Sequence, residues 1–420
     1  MILRKSGDFA KFSHVQAKLN MEDIMKRIIA LVLAAMMVIG SLTACANNNE
    51  VAAQADQAAA ASSGGQIDIG IVLPTKDEDR WIGDEAKFNK IIEENGLKAE
   101  IMYSQASAAI EKTNVEALIA KGIKVLLLCP FDGAAATSTV QMAQKEGVKV
   151  ISYDRLITDT EGVDYYVAFE SVKNGEAMGE YLCKRAEKLG GKGLNLYLYS
   201  GALTDNNSFS FFEGYWNALQ PKLADGTFIC RNSEVAMKYK DVPVLSHDQL
   251  YEIMQSVDTE WEPKTAKSLA ESDLTKASKE EKEYSFIIAP DDNTGRAVAD
   301  AFIADADVKE YRLCGADGVE GSVQYIIDGK QDMTVYCDPE MITKSAMDLA
   351  MKLLAGEKVD CPETIDNGKM QVPVVRCPVS SVTRDNIVEV FLDSGVYDKS
   401  KFKDYEGISD DVKPENYNGR

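Results

Sequence analysis

Lys149-Val150-Ile151-Ser152-Tyr153-Asp154-Arg155 is the stretch from which the fold is read. Its first half is a short apolar strand, and an acid and a base, Asp154 and Arg155, stand where such a strand should end. In open α/β sheets, ligands bind in the crevice outside the carboxyl ends of the strands. A carboxylate accepts hydrogen bonds and a guanidinium donates them, which suits a ligand rich in hydroxyls, because each hydroxyl does both. A single Asp-Arg pair is more often a surface salt bridge. Repetition of such strand ends along the chain decides between the two readings.

Upstream, Ile67, Ile69, Ile71 and Leu73 alternate as in a strand, and a polar loop from Thr75 to Arg80 leads into a helix near Trp81 to Asn95. A second strand, Lys98 to Tyr103, and a helix through Ala108 to Lys121 follow. Val125-Leu126-Leu127-Leu128 is a continuous apolar run, as expected of a strand buried on both faces. Asp132 is placed to cap a helix running to about Glu146. Downstream, Tyr165 to Phe169 reads as a crossover strand, after which the alternation restarts: a helix from Val172 to Leu189, a strand from Leu194 to Tyr199, a helix opening at Asp205 and a strand from Thr227 to Cys230. Val257 to Tyr284 reads as a solvated loop with a helical piece. Ser285 to Ala289 and Arg312 to Cys314 are strands, and Asp291-Asp292-Asn293 opens the helix between them. A helix from Val319 to Asp328, the strand Met333 to Tyr336 and a helix from Pro339 to about Gly356 follow. Asn367-Gly368 signals a two-residue hairpin turn. Strands alternating with helices of this length build parallel sheets, and the predicted fold class is α/β, two Rossmann-like lobes joined by a hinge of several crossings.

The strand ends carry Lys76, Arg80 and Trp81, then Asp154 and Arg155, then Asp205, Asn206 and Asn207, then Asp291 and Asp292, and finally Asp317. An aspartate after one strand is usually a helix cap, and that reading is kept for Asp132 and Asp292. Ends of this kind in both halves of the chain point to a shared polar crevice. Carboxylates, amides and a guanidinium grip hydroxyls there, and an indole covers the C–H face of a sugar ring.

Taken together, Arg80-Trp81, Tyr153-Asp154-Arg155, Asp205-Asn206-Asn207 and Gly315-Ala316-Asp317 resemble the type I periplasmic sugar-binding proteins, in particular the xylose-binding and multiple-monosaccharide-binding subgroup. The resemblance runs from about Ile67 to Asp393. It implies two lobes that close on one aldopyranose and a loaded protein that docks on an ABC importer or a membrane sensor kinase. It assigns sugar contacts to Arg80, Asp154, Arg155, Asn207, Asp291 and Asp317, stacking to Trp81, and a supporting role to Asp205. The chain departs from the pattern at three places. Ala316 stands for a glutamine, Cys337 for a lysine, and a tryptophan expected before a second-lobe helix is missing from Val244-Leu245-Ser246-His247-Asp248.

The domain division expected on this basis is a signal sequence over 1–44 and a flexible tether over 45–65. One lobe is then 66–170 with 316–332, the other 171–315 with 333–395, and a C-terminal tail covers 396–420. Met25-Lys26-Arg27 and the apolar run Ile28 to Leu42 form the signal, and Leu42-Thr43-Ala44-Cys45 resembles a lipobox. Cys45 is therefore the expected lipidation site, anchoring the protein on the outer side of the cell membrane.

The formal net charge is −21, and residues 1–44 carry a surplus of three positive charges, so the remainder is more acidic still. That balance excludes nucleic acid as a partner, because phosphate binding needs clustered Lys and Arg. Eight cysteines show no CxxC spacing, and Cys361 and Cys377, flanking a hairpin, are the one candidate disulfide. With two histidines, His14 and His247, and no P-loop, HExxH or nucleophile elbow, the sequence predicts no cofactor, no metal and no enzyme. A glycosidase using two carboxylates is the remote alternative. A sugar-responsive repressor would carry a helix-turn-helix where this chain carries its signal. A monomer is expected.

Overall fold

A computed structural model describes residues 66–413. The expected signal sequence, Cys45 and the tether lie outside the described residues. The first part of the chain forms β1 (Ile69–Leu73), α1 (Asp79–Asn95), β2 (Ala99–Tyr103), α2 (Ala108–Ala120), β3 (Val125–Leu128), α3 (Thr137–Lys145), β4 (Lys149–Tyr153) and β5 (Tyr165–Phe169). It continues with α4 (Ser171–Leu189), β6 (Leu194–Leu198), α5 (Asn206–Ala224), β7 (Phe228–Cys230), α6 (Glu234–Lys238), α7 (His247–Met254) and α8 (Pro263–Lys276). Then come β8 (Tyr284–Ile288), α9 (Asp292–Ala304), β9 (Glu310–Asp317), α10 (Glu320–Ile327), β10 (Met333–Tyr336), α11 (Pro339–Leu354), β11 (Thr364–Asp366), β12 (Gln371–Cys377) and β13 (Ser380–Thr383).

Two sheets result. The first runs β11-β12-β5-β4-β3-β1-β2 and the second β13-β10-β9-β8-β6-β7. Within each, every neighbouring pair is parallel except the outermost one, β11 on β12 and β13 on β10. β1 and β3 are buried at every residue, as apolar strands covered by helices on both faces must be. Because the strands of each sheet point the same way, their carboxyl ends gather along one edge. The chain crosses between lobes three times, at Glu170, at Cys337-Asp338 and between Cys377 and Ser380. Two of these crossings are tied together where the Glu170 N–H donates to the Cys377 carbonyl at 3.1 Å.

The lobe division differs from the expected one. Residues 316–332 belong to the second lobe, since β9 pairs with both β8 and β10. The segment after Cys337 returns to the first lobe, where Ile342, Ala346, Met347 and Ala350 of α11 join the core around β1, β3 and β4. The tail is no loose appendage: Phe391 and Phe402 pack with Val323, Ile326 and Val382 in a core cluster of the second lobe.

Local expectations shift too. Asp132 accepts from the N–H groups of Ala134 and Ala135 in a turn, and α3 begins five residues later at Thr137. The stretch read as a solvated loop contains the full helix α8. Pro263 opens it, and Ala266, Ala270 and Leu274, spaced by four, bury one face. The hairpin after β11 has four connecting residues instead of two. Buried Asn367 accepts from the N–H groups of Lys369 and Met370 and donates to the carbonyls of Ile157 and Thr160, pinning the hairpin to the first lobe. Cys361 and Cys377 are both free, as are the other described cysteines.

One close approach sets the second lobe's contribution to the site. α4 and α5 cross so tightly that a Cβ on Gly175 would stand 2.0 Å from the Phe211 carbonyl oxygen, and one on Gly214 would stand 2.0 Å from that of Val172. Glycine is required at both positions, and the crossing holds the first turn of α5 over the first lobe.

Candidate functional site

The carboxyl edges of the two sheets face each other across a shared cavity. All eight residues singled out from the sequence line it: Arg80 and Trp81 after β1, Asp154 and Arg155 after β4, Asp205 and Asn207 at the start of α5, Asp291 after β8, and Asp317 at the end of β9. Lys76 is not among them; it turns outward to pair with Glu85 at 3.0 Å. Asp292 is also absent from the lining. The cap of α9 is Asp291, which accepts from the Thr294 N–H at 2.9 Å, while Asp292 turns away beneath the site.

Each guanidinium is held by two carboxylates. Arg80 binds Asp84, one turn along α1, and reaches Asp154 Oδ2 at 3.2 Å. The Tyr153 hydroxyl donates to the other oxygen of Asp84 at 2.6 Å. Arg155 Nε meets Asp205 Oδ2 of the opposite lobe at 2.9 Å and lies 3.6 Å from Glu78. Both guanidinium carbons also lie over the Trp81 ring, at 5.3 and 5.2 Å, within cation–π range. Asn207 bridges the lobes by donating to the Asp154 carbonyl at 3.0 Å, while its own oxygen accepts from Ser171 at 2.9 Å. The Gly133 N–H donates to the Thr204 carbonyl at 3.2 Å, again across the lobes. The lobes are therefore closed on each other.

Asp154 and Asp317 share a backbone peculiarity. Their φ values are +61° and +91°, in the left-handed region that aspartate tolerates better than most residues. Each strand thus ends in a sharp turn that swings its carboxylate into the cavity.

Reading the sequence missed Glu78, Phe169, Ser171, Phe211 and Trp261, which complete the lining with Cys337. Trp261 supplies the second indole that was sought at Val244–Asp248. It stands in a loop where Glu260 and Trp261 have φ values of +57° and +60°, and it lies so close to Gly201 that a Cβ there would come within 2.2 Å of its ring. The signal was the pair Trp261-Glu262 directly before Pro263, a helix start in a stretch read as solvated loop. Ala316 does not face the cavity; it is buried in the second lobe's apolar core, so its departure leaves the lining unchanged. Cys337 is a lining residue, and Asn174 donates to its sulfur at 3.3 Å. Burial holds that thiol well above its usual range, so it stays neutral.

Burial also raises the carboxyls. It pushes Asp84 up to about 6 against the pull of Arg80, and Asp292 to about 7. Asp291 and Asp317 are raised by burial first and by neighbouring carboxylates next. Glu78 and Asp205 are raised by burial and partly restored by Arg155. A carboxyl raised in the folded state stabilises it fully below its unfolded value near 4, and that contribution is lost as pH rises through the folded value. Asp84 and Asp292 are buried outside the cavity lining, so the melting temperature of the ligand-free protein is expected to fall between about pH 4.5 and pH 7.5. The slope should reach about 1.4 kcal/mol per pH unit for each group still protonated. Thermal melts across that window check it, and a melting temperature that climbs through the window would refute the assignment.

Two parallel-sheet lobes closed over a cavity built from strand ends define the class of two-lobed solute-binding proteins. A family model described as a periplasmic binding protein domain matches residues 69–358, and the chain belongs to that family, in its type I sugar-binding branch. A carbohydrate transporter solute binding protein from Chloroflexus aurantiacus, solved in complex with D-glucose, is 49% identical to this chain. It covers 81% of this chain and 99% of its own length, with a TM-score of 0.79. The multiple sugar-binding periplasmic protein SbpA of Azospirillum brasilense is 28% identical over 80% of this chain and 91% of its own. The D-xylose-binding periplasmic protein of Escherichia coli K12 is 26% identical over 80% and 92%.

Proposed function

We propose that the protein captures one monosaccharide, a glucose- or xylose-like aldopyranose, between its lobes and delivers it to an ABC importer. The observation that carries this reading is the lining of the cavity from both lobes by carboxylates, guanidiniums, an amide and two indoles. The acceptors Asp154, Asp291 and Asp317 meet the hydroxyl hydrogens, while Arg80, Arg155 and Asn207 meet the oxygens. Trp81 from one lobe and Trp261 from the other cover the C–H faces of the ring. Contacts from both lobes exist together only when the lobes are closed, so sugar shifts the population toward the closed form. D-glucose in the Chloroflexus aurantiacus relative and D-xylose in the name of the Escherichia coli one support an aldose as cargo. The family is one of binding proteins, which favours capture over catalysis. Placement outside the cytoplasm follows the periplasmic relatives, with the anchor assigned to Cys45.

A thermal-shift screen of the purified protein against aldopentoses, aldohexoses and short oligosaccharides tests the reading. A ligand that binds the native state alone raises the melting temperature with its concentration. A rise with D-glucose or D-xylose is expected, and no response to any monosaccharide would sink the proposal. For the anchor, Cys45→Ser should move the protein from the membrane fraction to the soluble one; an unchanged distribution refutes lipidation there.

A further inference from the structure

Asp317 reaches the cavity from an unusual turn. Its φ of +91° is followed by Gly318 at +73°, so two consecutive residues sit at positive φ. A backbone of this kind persists when its surroundings over-determine it, and here three elements do so. From α9, the fully buried Asp292 accepts at Oδ2 from the N–H groups of Gly318 at 3.0 Å and Val319 at 3.1 Å, and from the Thr334 hydroxyl at 3.0 Å. Gln331 donates to its other oxygen at 2.6 Å. From β10, Thr334 Oγ1 lies 3.0 Å from the same Gly318 nitrogen. From the C-terminal segment, the Tyr397 hydroxyl donates to the Gly318 carbonyl at 2.7 Å.

That third clamp lies outside the part of the chain that the family model matches, which ends at residue 358. Tyr397 is itself held in place: its ring packs on Phe391 at 5.5 Å, and its N–H donates to the Phe391 carbonyl at 2.9 Å. Phe391 in turn meets Tyr336 edge-on at 5.0 Å. A Cβ on Gly318 would stand 2.7 Å from Tyr336 and 2.8 Å from Phe391, so the two rings leave the turn no room to relax on that side. Gly318 is thus gripped at its N–H by Asp292 and at its carbonyl by Tyr397. The Asp317 carboxylate makes no hydrogen bond or ion pair within contact distance of another side chain among the described residues, Arg80 attracts it only through charge, and its backbone sets its direction.

We infer that Tyr397, together with Asp292, is a positioning residue for ligand binding: the C-terminal segment sets the aim of the Asp317 carboxylate without touching the cavity. The inference rests on the reading of Asp317 as a ligand contact. It gives the segment after β13 a role in affinity, where its sequence reads as a tail.

The test is a double-mutant cycle on the full-length protein with D-glucose as probe, read by isothermal titration beside thermal melts. Tyr397→Phe removes one hydroxyl from a half-buried ring and should weaken binding by about five- to tenfold with little change in melting temperature. On an Asp317→Asn background the same substitution should change affinity by less than about twofold, because the carboxylate it aims is gone. Asp292→Ala, which removes the acceptor of the Gly318 and Val319 N–H groups, should weaken binding more than Tyr397→Phe and show the same dependence on Asp317. If Asp317→Asn weakens binding and Tyr397→Phe leaves it unchanged, the positioning role is overturned. Equal losses from Tyr397→Phe on both backgrounds also overturn it, since they mark a general effect on stability. Unchanged affinity in Asp317→Asn, or no D-glucose binding by the wild type, overturns the underlying reading of the site instead.

Discussion

Asp154→Ala is expected to cost the protein its sugar while leaving the fold in place. The Asp154 carboxylate stands where Arg80 from its own lobe, at 3.2 Å, and Asn207 from the other, at 3.4 Å, converge. Its removal takes away a charged acceptor for the ligand and one of the acceptors of Arg80 and of Asn207, which keep Asp84 and the Asp154 carbonyl respectively. Hydrogen bonds to charged groups are each worth about 1.5–3 kcal/mol, and a carboxylate with two oxygens can accept from more than one ligand hydroxyl. Affinity should therefore fall by at least about a hundredfold. The fold should tolerate the change, because Arg80 keeps Asp84 and the side chain of Asp154 holds no core contact. Alanine at a φ of +61° costs about 1 kcal/mol, which Asp154→Asn avoids. Titration calorimetry on both variants, beside circular dichroism, decides the matter. An affinity within about fivefold of wild type in the alanine variant would remove Asp154 from the site.

The second large effect concerns closure. Arg155 and Asp205 form an ion pair between lobes at 2.9 Å, with side chains only 6% and 2% exposed. When the lobes part, solvent can reach both groups, so the pair belongs to the closed form. Asp205→Ala leaves the guanidinium buried with Glu78 at 3.6 Å as its remaining carboxylate. Breaking one side of a buried pair costs about 3–5 kcal/mol, here set against closure, so affinity should drop by about two to four orders of magnitude. Asp205 also caps α5 through the Asn207 N–H at 2.8 Å, a contribution of about 1 kcal/mol present in both forms. Asp205→Asn keeps a capping oxygen and separates the two effects: it should recover the melting temperature but not the affinity. Small-angle scattering should show both variants more open than wild type at the same sugar concentration. Wild-type affinity in Asp205→Ala would show that the pair does not govern closure.

Much of the site was legible because its residues stand at strand ends, and strand ends are what apolar periodicity locates best. Ile69–Leu73, Val125–Leu128 and Lys149–Tyr153 are runs whose limits leave little choice, and the residues after them had to lie along the sheet edge. Trp261 escaped because it follows no strand, and Glu78 because nothing local distinguishes it among the acids of the polar loop after β1. Trp261 owes its place to a loop with positive φ packed on Gly201, and Glu78 to Arg155, which is distant in sequence. From the sequence, the helix cap falls to Asp292 and the cavity to Asp291, whereas Asp291 takes both roles. Both are aspartates at a helix start, and which of them caps and which turns inward depends on donors from Gly318, Val319, Gln331 and Thr334.

The sequence by itself determined the α/β class, the presence of two lobes and a set of polar strand ends along one edge, since these follow from local periodicity and from the rule that parallel strands share a carboxyl edge. The resemblance to sugar-binding proteins narrowed those strand ends to the eight residues that line the cavity. Tertiary structure alone decided which lobe owns each late segment. Local pattern is identical for a strand in either sheet, and pairing energy between β8, β9 and β10, together with the apolar face of α11 against the first core, breaks the tie. It also decided that Arg155 meets Asp205, that Asn207 meets Asp154, and that the tail braces the turn after Asp317. Those contacts join residues far apart in the chain, and their strength comes from burial that exists only once the lobes and the C-terminal segment have packed.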